Sequence, residues 1–305
     1  MPKISILEFG TINPPELYAH DVLNDLFEYV ETLDRLGYNR FWLSEHYSPE
    51  FAWYTPEMLL PLLAAYSRRI KIGQAGVLLK YHAPFRIAHQ FSILSGMFPN
   101  RIDLGMVGAI TCDEAVLALT EQPEGTARSS FSARIAEVYR LLQGEPLTPG
   151  QPKSLRLPLV GAARPDLWLL STSGSTMVDA VQCRSNYCIS LFHPGAVLSK
   201  QKDLLKRFRE DFYAVHHTLP ECAIAVKCDC RENSTTAPRR RGELQSSVAG
   251  TPADCAEQLL ELSHWLEAEE IVIKLPVTAG ATRDFAVHAL AELLIEQSVN
   301  TLEAV

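Results

Sequence analysis

Eight short apolar runs alternate with segments whose apolar residues recur every three to four positions, and this alternation constrains the fold more than any other feature of the chain. The runs cover 3–9, 40–44, 70–74, 102–107, 167–170, 187–191, 223–228 and 270–275. Residues 40–44 read as apolar on both faces, as a strand buried in a parallel sheet would be. The segments between carry helix punctuation: Gly37 stands where the first would stop, and Thr251-Pro252 supply a cap and a first helical residue for a later one. Strand, helix, strand with short links predicts right-handed βαβ units. Eight such units, with no composition shift that divides the 305 residues, favour a single domain over 1–305. Its expected fold is a closed (β/α)8 TIM barrel with loop insertions at the C-terminal face, rather than an open doubly wound sheet. The polar segment 231–247, which holds Pro238-Arg239-Arg240-Arg241, reads as a solvated loop.

A barrel of this kind carries function at the C-terminal ends of its strands. There the chain offers Gly10, Thr11 and Asn13, then Glu45 and His46, then Ala75 and Gly76, then Gly108, then Ser171-Thr172-Ser173-Gly174-Ser175-Thr176, then His193 and Lys274. The fifth of these is a run of small hydroxyl residues entering a helix. It fits an anion site as well as it fits an ordinary helix cap, and it is no Walker loop, since Gly-Lys-Ser/Thr is absent. His46 at a barrel mouth can donate to an oxygen on which negative charge develops, or accept a proton near neutral pH. Glu45 beside it is read as a carboxylate that holds neighbouring groups rather than as a metal ligand. No metal site is expected: His216-His217 would face different ways on a helix, and Cys228-x-Cys230 has no matching second pair. The aromatic residues Phe51, Trp53 and Tyr54 suit either a lipophilic substrate or plain packing at the rim.

Charge and composition narrow the partners. A formal net charge of -8 disfavours nucleic acid and anionic membranes. No apolar run is long enough to span a bilayer, and residues 1–4 lack the basic start of a signal peptide. Seven cysteines without regular spacing suit reduced thiols in the cytoplasm.

Taken in order, Phe41-Trp42-Leu43-Ser44-Glu45-His46, Pro56-Glu57-Met58-Leu59-Leu60, Arg69-Ile70-Lys71-Ile72-Gly73, Pro84-Phe85-Arg86-Ile87-Ala88 and Asn100-Arg101-Ile102-Asp103-Leu104-Gly105 resemble the bacterial luciferase-like flavin monooxygenases. Trp168–Gly174 and Gly250–Ala253 extend the resemblance over nearly the whole chain. It implies a TIM barrel that takes reduced FMN from a separate flavin reductase. With O2 it would oxygenate a small organic or carrier-bound substrate in specialised metabolism, and it would work as a homodimer. Carried over by position, His46 matches the active-site histidine, Ala75-Gly76 the non-proline cis peptide against the flavin ring, and Thr172, Ser173, Gly174, Ser175 and Thr176 the phosphate-binding turn. The resemblance leaves two alternatives: a hydride-transferring oxidoreductase that uses a deazaflavin, and a non-catalytic flavoprotein or partner subunit. The chain departs from the pattern twice. Where relatives often carry an arginine after strand four, it has Gly108, with Lys80 and Arg128 as candidate replacements. The segment after strand seven is also short beside many relatives.

Overall fold

The computed structural model describes residues 1–108, 130–146, 156–158, 163–193, 197–233 and 244–296. Ala109, the loop 110–127, Arg128, most of the Pro-rich link 144–158 and residues 239–241 lie outside them.

Parallel strands β1 (Lys3–Glu8), β2 (Arg40–Leu43), β3 (Lys71–Leu78), β4 (Ile102–Val107), β5 (Asp166–Ser171), β6 (Asn186–Ser190) and β7 (Cys222–Cys230) pair in sequence. The last strand, β9 (Glu270–Lys274), joins β7 to β1 and closes an eight-stranded ring. Helices α1 (Ala19–Leu36), α2 (Leu60–Tyr66), α3 (Pro84–Met97), α4 (Phe131–Leu142), α5 (Met177–Gln182), α6 (Leu198–His216), α7 (Pro252–Leu266) and α8 (Ala281–Ala291) stand between the strands. This is the (β/α)8 barrel that the alternation predicts. No helix among the described residues is long and apolar enough to cross a membrane.

Local chemistry sets the joints. Gly37 takes φ 85° and ends α1. The Asp34 carboxylate accepts the backbone N–H groups of Arg68, Arg69 and Ile70 at 2.8, 2.9 and 2.7 Å, which fixes the entry to β3. Thr251 and Asp254 form a reciprocal capping box at the start of α7.

Two elements differ from expectation. β3 continues to Leu78, so Ala75-Gly76 lie inside the strand, at a register shift against β4 between Gln74 and Val77. A short strand, β8 (Ser247–Gly250), pairs with the outer end of β7 at Lys227–Cys230; it follows the stretch 231–247 read as loop and is not among the expected strands.

One apolar core fills the layer between strands and helices. A second, smaller one lies inside the barrel around Leu7, Trp42, Ala75, Trp168, Cys188, Ala223, Ala225 and Val272. Below it, Arg40 corrects the reading of β2 as apolar on both faces: its side chain is fully buried in the barrel. Its Nε donates to both oxygens of Glu270 at 2.9 and 2.8 Å and its Nη1 to Asp103 at 2.8 Å, with Glu221 as a third partner. Gly73 makes room for this plug, since a Cβ there would stand 2.6 Å from the Asp103 Cβ. The N-terminal end of the barrel is therefore filled, and free space is left only toward the C-terminal end.

Candidate active site

That space is a cavity of about 580 Å³ at the C-terminal ends of the strands. Its walls include Glu45, His46, Ala75, Gly76, Gly108, Thr172, Ser173, Ser175, Thr176 and His193, whereas the strand-end candidates Gly10, Thr11, Asn13, Gly174 and Lys274 are not among them. His46 follows β2 and the hydroxyl turn follows β5, three strands further round the ring, with the cavity between them.

On the β2 side, Gly10 at φ 69° turns the chain after β1, where a Cβ would meet the Trp53 ring at 2.5 Å. Its carbonyl accepts Ala52 N–H at 2.8 Å, and Ile12 N–H reaches the Glu50 carbonyl at 2.8 Å. These bonds join the first two strand-end loops and lay Phe51 on the His46 ring, with centroids 5.0 Å apart and planes inclined by 28°. Phe9 packs against the same histidine at 4.8 Å and lies 6.2 Å from Phe51, so the three rings form a cluster. Burial pushes the His46 pKa down to about 4, with the charges of His193 and Lys274 acting in the same sense and Glu45 opposing. At neutral pH His46 is an uncharged imidazole, able to donate through one ring nitrogen and accept through the other.

Glu45 is buried and fully engaged, as its reading as a holding carboxylate requires. It accepts from Tyr47 Oη at 2.7 Å, Gln74 Nε2 at 2.9 Å and Leu78 N at 3.0 Å, and it lies 2.6 Å from His82 Nε2. Burial works against a charge on His82, but the Glu45 hydrogen bond and charge outweigh it and raise its pKa. The aromatic trio divides. Trp53 is buried and donates to the Ser44 carbonyl at 3.0 Å, which makes it packing, whereas Phe51 reaches the histidine and Tyr54 is exposed.

Ala75-Gly76 is a cis peptide. A Cβ at Gly76 would stand 2.6 Å from Val107 Cγ1, and one at Gly108 would stand 2.8 Å from the Phe131 ring. Both positions admit backbone only, and Phe131 fills the place that a side chain at 108 would need. In the β5 turn, Gly174 adopts φ 73°. Gln201 Nε2 donates to the Thr172 carbonyl at 2.8 Å, and the Thr176 hydroxyl lies 3.2 Å from Tyr187 Oη. Helix α5 has only six residues, so the hydroxyls of the turn, more than a helix dipole, suit it to an anion.

Sequence reasoning missed two groups. The Ser44 and Ser190 hydroxyls line the cavity, are buried and have no hydrogen-bond partner among the described residues. A flat heteroaromatic ring with polar edges and a phosphate tail fits this set: backbone-only walls at Gly76 and Gly108, two unsatisfied hydroxyls, and a hydroxyl turn. Lys80 also lines the cavity and has no ion pair among the described residues.

A family model for luciferase-like monooxygenases matches residues 4–239 of this chain. An N-acetyl-S-alkylcysteine monooxygenase of Bacillus subtilis is 24% identical, over 97% of this chain and 99% of its own. Among solved structures, apo-MsnO8 superposes with a TM-score of 0.80 at 22% identity, covering 96% of this chain and 98% of its own. The oxygenating constituent of 3,6-diketocamphane monooxygenase from Pseudomonas putida, solved with FMN, superposes at 0.71 with 14% identity, over 97% of each chain. At these identities the structural matches speak for the fold.

Proposed function

The chain belongs to the luciferase-like monooxygenase family, and from that premise we propose that it is a flavin-dependent oxygenase, using reduced FMN from a separate reductase and O2 to oxygenate a small organic or carrier-bound substrate. The observation that carries this reading is the single cavity joining a neutral histidine, backbone-only walls and a hydroxyl turn. When bound, reduced FMN supplies the electrons that activate O2. The chain's own residues do the rest. The β5 turn and Lys80 hold the phosphate, and Gly76 and Gly108 leave space for a ring. The Ser44 and Ser190 hydroxyls meet polar edges of the ligands, and His46 holds or moves a proton at an oxygen that gains charge. Phe9 and Phe192, with Phe51 packed behind Phe9, keep water from that end.

Supplying NADH, a flavin reductase, FMN and 18O2 tests the reading: one labelled oxygen should enter the product. Turnover without O2, driven by a reduced deazaflavin, would assign hydride transfer instead. A protein that binds no flavin would be a partner subunit. The phosphate assignment has its own check. Lys80→Met and Ser175→Ala should each weaken FMN by about tenfold and leave riboflavin, which lacks the phosphate, unaffected. Equal loss for both flavins in a fluorescence titration would refute it.

The homodimer belongs to the same proposal. Helices α2 and α3 flank β3 and expose Leu62, Tyr66, Phe85, Ile93 and Met97, with Met58 just ahead of α2. These apolar side chains suit burial against a second copy. Leu62→Glu combined with Ile93→Glu should give a monomer by light scattering; a dimer that persists would place the interface elsewhere.

A further inference from the structure

Lys227 and Lys274 are paired in register on adjacent parallel strands β7 and β9. Both continue the inward alternation of their strands, Lys227 after Ala223 and Ala225, Lys274 after Glu270 and Val272. Each therefore belongs to the inner face, at the mouth of the barrel. Neighbouring strands lie about 4.8 Å apart, so two ammonium groups here repel each other. Neither has a hydrogen-bond acceptor or an ion pair among the described residues. Lys274 instead rests on aromatic faces, its Nζ 4.4 Å from the Phe9 centroid and 5.9 Å from that of Phe192. Burial lowers its pKa, and the charge of Lys227 adds to that, against a smaller opposing effect of Glu8. His46 and His193, both depressed in part by the Lys274 charge, complete the group.

In a chain of net charge -8, this is a local concentration of positive potential with no ion-paired carboxylate among the described residues, Glu8 acting on Lys274 only at longer range. Its two lysines lie on the β7–β9 side of the mouth, two and three strands round the ring from the β5 turn that suits the flavin phosphate. A structural role accounts for it poorly, because juxtaposed like charges cost stability. An anion arriving from solution would relieve that repulsion.

We propose that Lys274, backed by Lys227, receives the carboxylate of the substrate, so that the enzyme acts on organic acids with an apolar body. Phe9, Phe51 and Phe192 line the path between the ammonium group and His46 and provide the apolar contact. A carboxylate suits the site better than a phosphate, since Lys274 stands on aromatic rings without the run of hydroxyls found in the β5 turn. The assignment rests on reading the cavity as the flavin and substrate site.

The test uses a homologous series of ω-phenylalkanoic acids and their methyl esters, titrated calorimetrically into the protein with and without FMN. The best acid should bind about tenfold more tightly than its ester, and Lys274→Met should abolish that preference, with FMN affinity changed less than twofold. Lys227→Met, at an exposed position, should weaken it and guards against a folding defect in the first variant. Acid, but not ester, should also raise the His193 pKa in an NMR titration. No preference for acid anywhere in the series overturns the proposal. So does a preference that survives both substitutions, or a parallel loss of FMN affinity in Lys274→Met, which would place the lysine on the flavin phosphate. If the acid preference holds while the protein binds no flavin, the carboxylate site stands and the cofactor reading falls.

Discussion

Arg40→Met is expected to destabilise the barrel by about 3–5 kcal/mol, the range for removing one partner of a buried charge pair. The guanidinium is fully buried and serves Asp103, Glu270 and Glu221 at once, stacking on Trp168 with 4.5 Å to the ring centroid. The network continues through Trp42 Nε1, which donates to Asp103 at 2.8 Å, and Asn39, which donates to Glu270 at 2.7 Å. Methionine replaces the stem but leaves two buried carboxylates without a counter-charge. Burial already holds the Asp103 carboxyl above its ordinary value against the opposing Arg40 charge, so losing that charge lifts it further above the unfolded value. The folded variant binds the extra protons, so its deficit grows as pH rises and shrinks in acid. Urea unfolding at several pH values checks both the size and the sign. Adding Asp103→Asn and Glu270→Gln should recover part of the loss, because the stranded charges go with the cation. A deficit below about 1 kcal/mol, or one independent of pH, would mean that water or Lys71 already compensates the carboxylates.

This plug shows where the sequence stops being readable. The strands were legible because runs buried on both sides are apolar, and the helices because their inner stripes repeat. Arg40 was not, since its burial depends on partners 63 and 230 residues away that converge only when the ring closes. Ala75-Gly76 read as the end of β3 because small residues usually break strands, yet the register shift carries the strand on to Leu78. β8 escaped notice because Ser247–Gly250 is only four residues of small side chains, too short to show a strand period. In the site, His46 and the hydroxyl turn stood out by residue type at strand ends. Ser44 and Ser190 did not, because an unsatisfied hydroxyl is a property of the folded cavity. Lys227 could have been found: counting in twos from Ala223 and Ala225 puts it on the inner face, beside the Lys274 that the strand-end reading did single out.

His46→Ala should reduce turnover by about 10²–10⁴-fold, the usual range for a positioned proton donor or acceptor, while FMN affinity and the fold change little. The ring packs against Phe9 and Phe51 and makes no hydrogen bond among the described residues, so its nitrogens are left for ligands. With its pKa pushed down to about 4, the wild-type imidazole is neutral through the physiological range. Activity should therefore stay level from neutral pH down to about 5 and fall below that as the ring gains a proton. The same shift has a stability signature. Between about 4 and 6.5 the unfolded chain binds the proton that folded His46 refuses, so His46 makes the protein more stable as pH rises through that window. His46→Ala should lose that slope. His46→Asn separates the two chemical roles: an amide can still donate a hydrogen bond but cannot take up a proton near neutral pH. Turnover well above that of His46→Ala would assign stabilisation of a charged oxygen, and turnover equal to it would assign proton transfer. If His46→Ala turns over within threefold of wild type, the histidine is a wall of the cavity and the chemistry lies elsewhere.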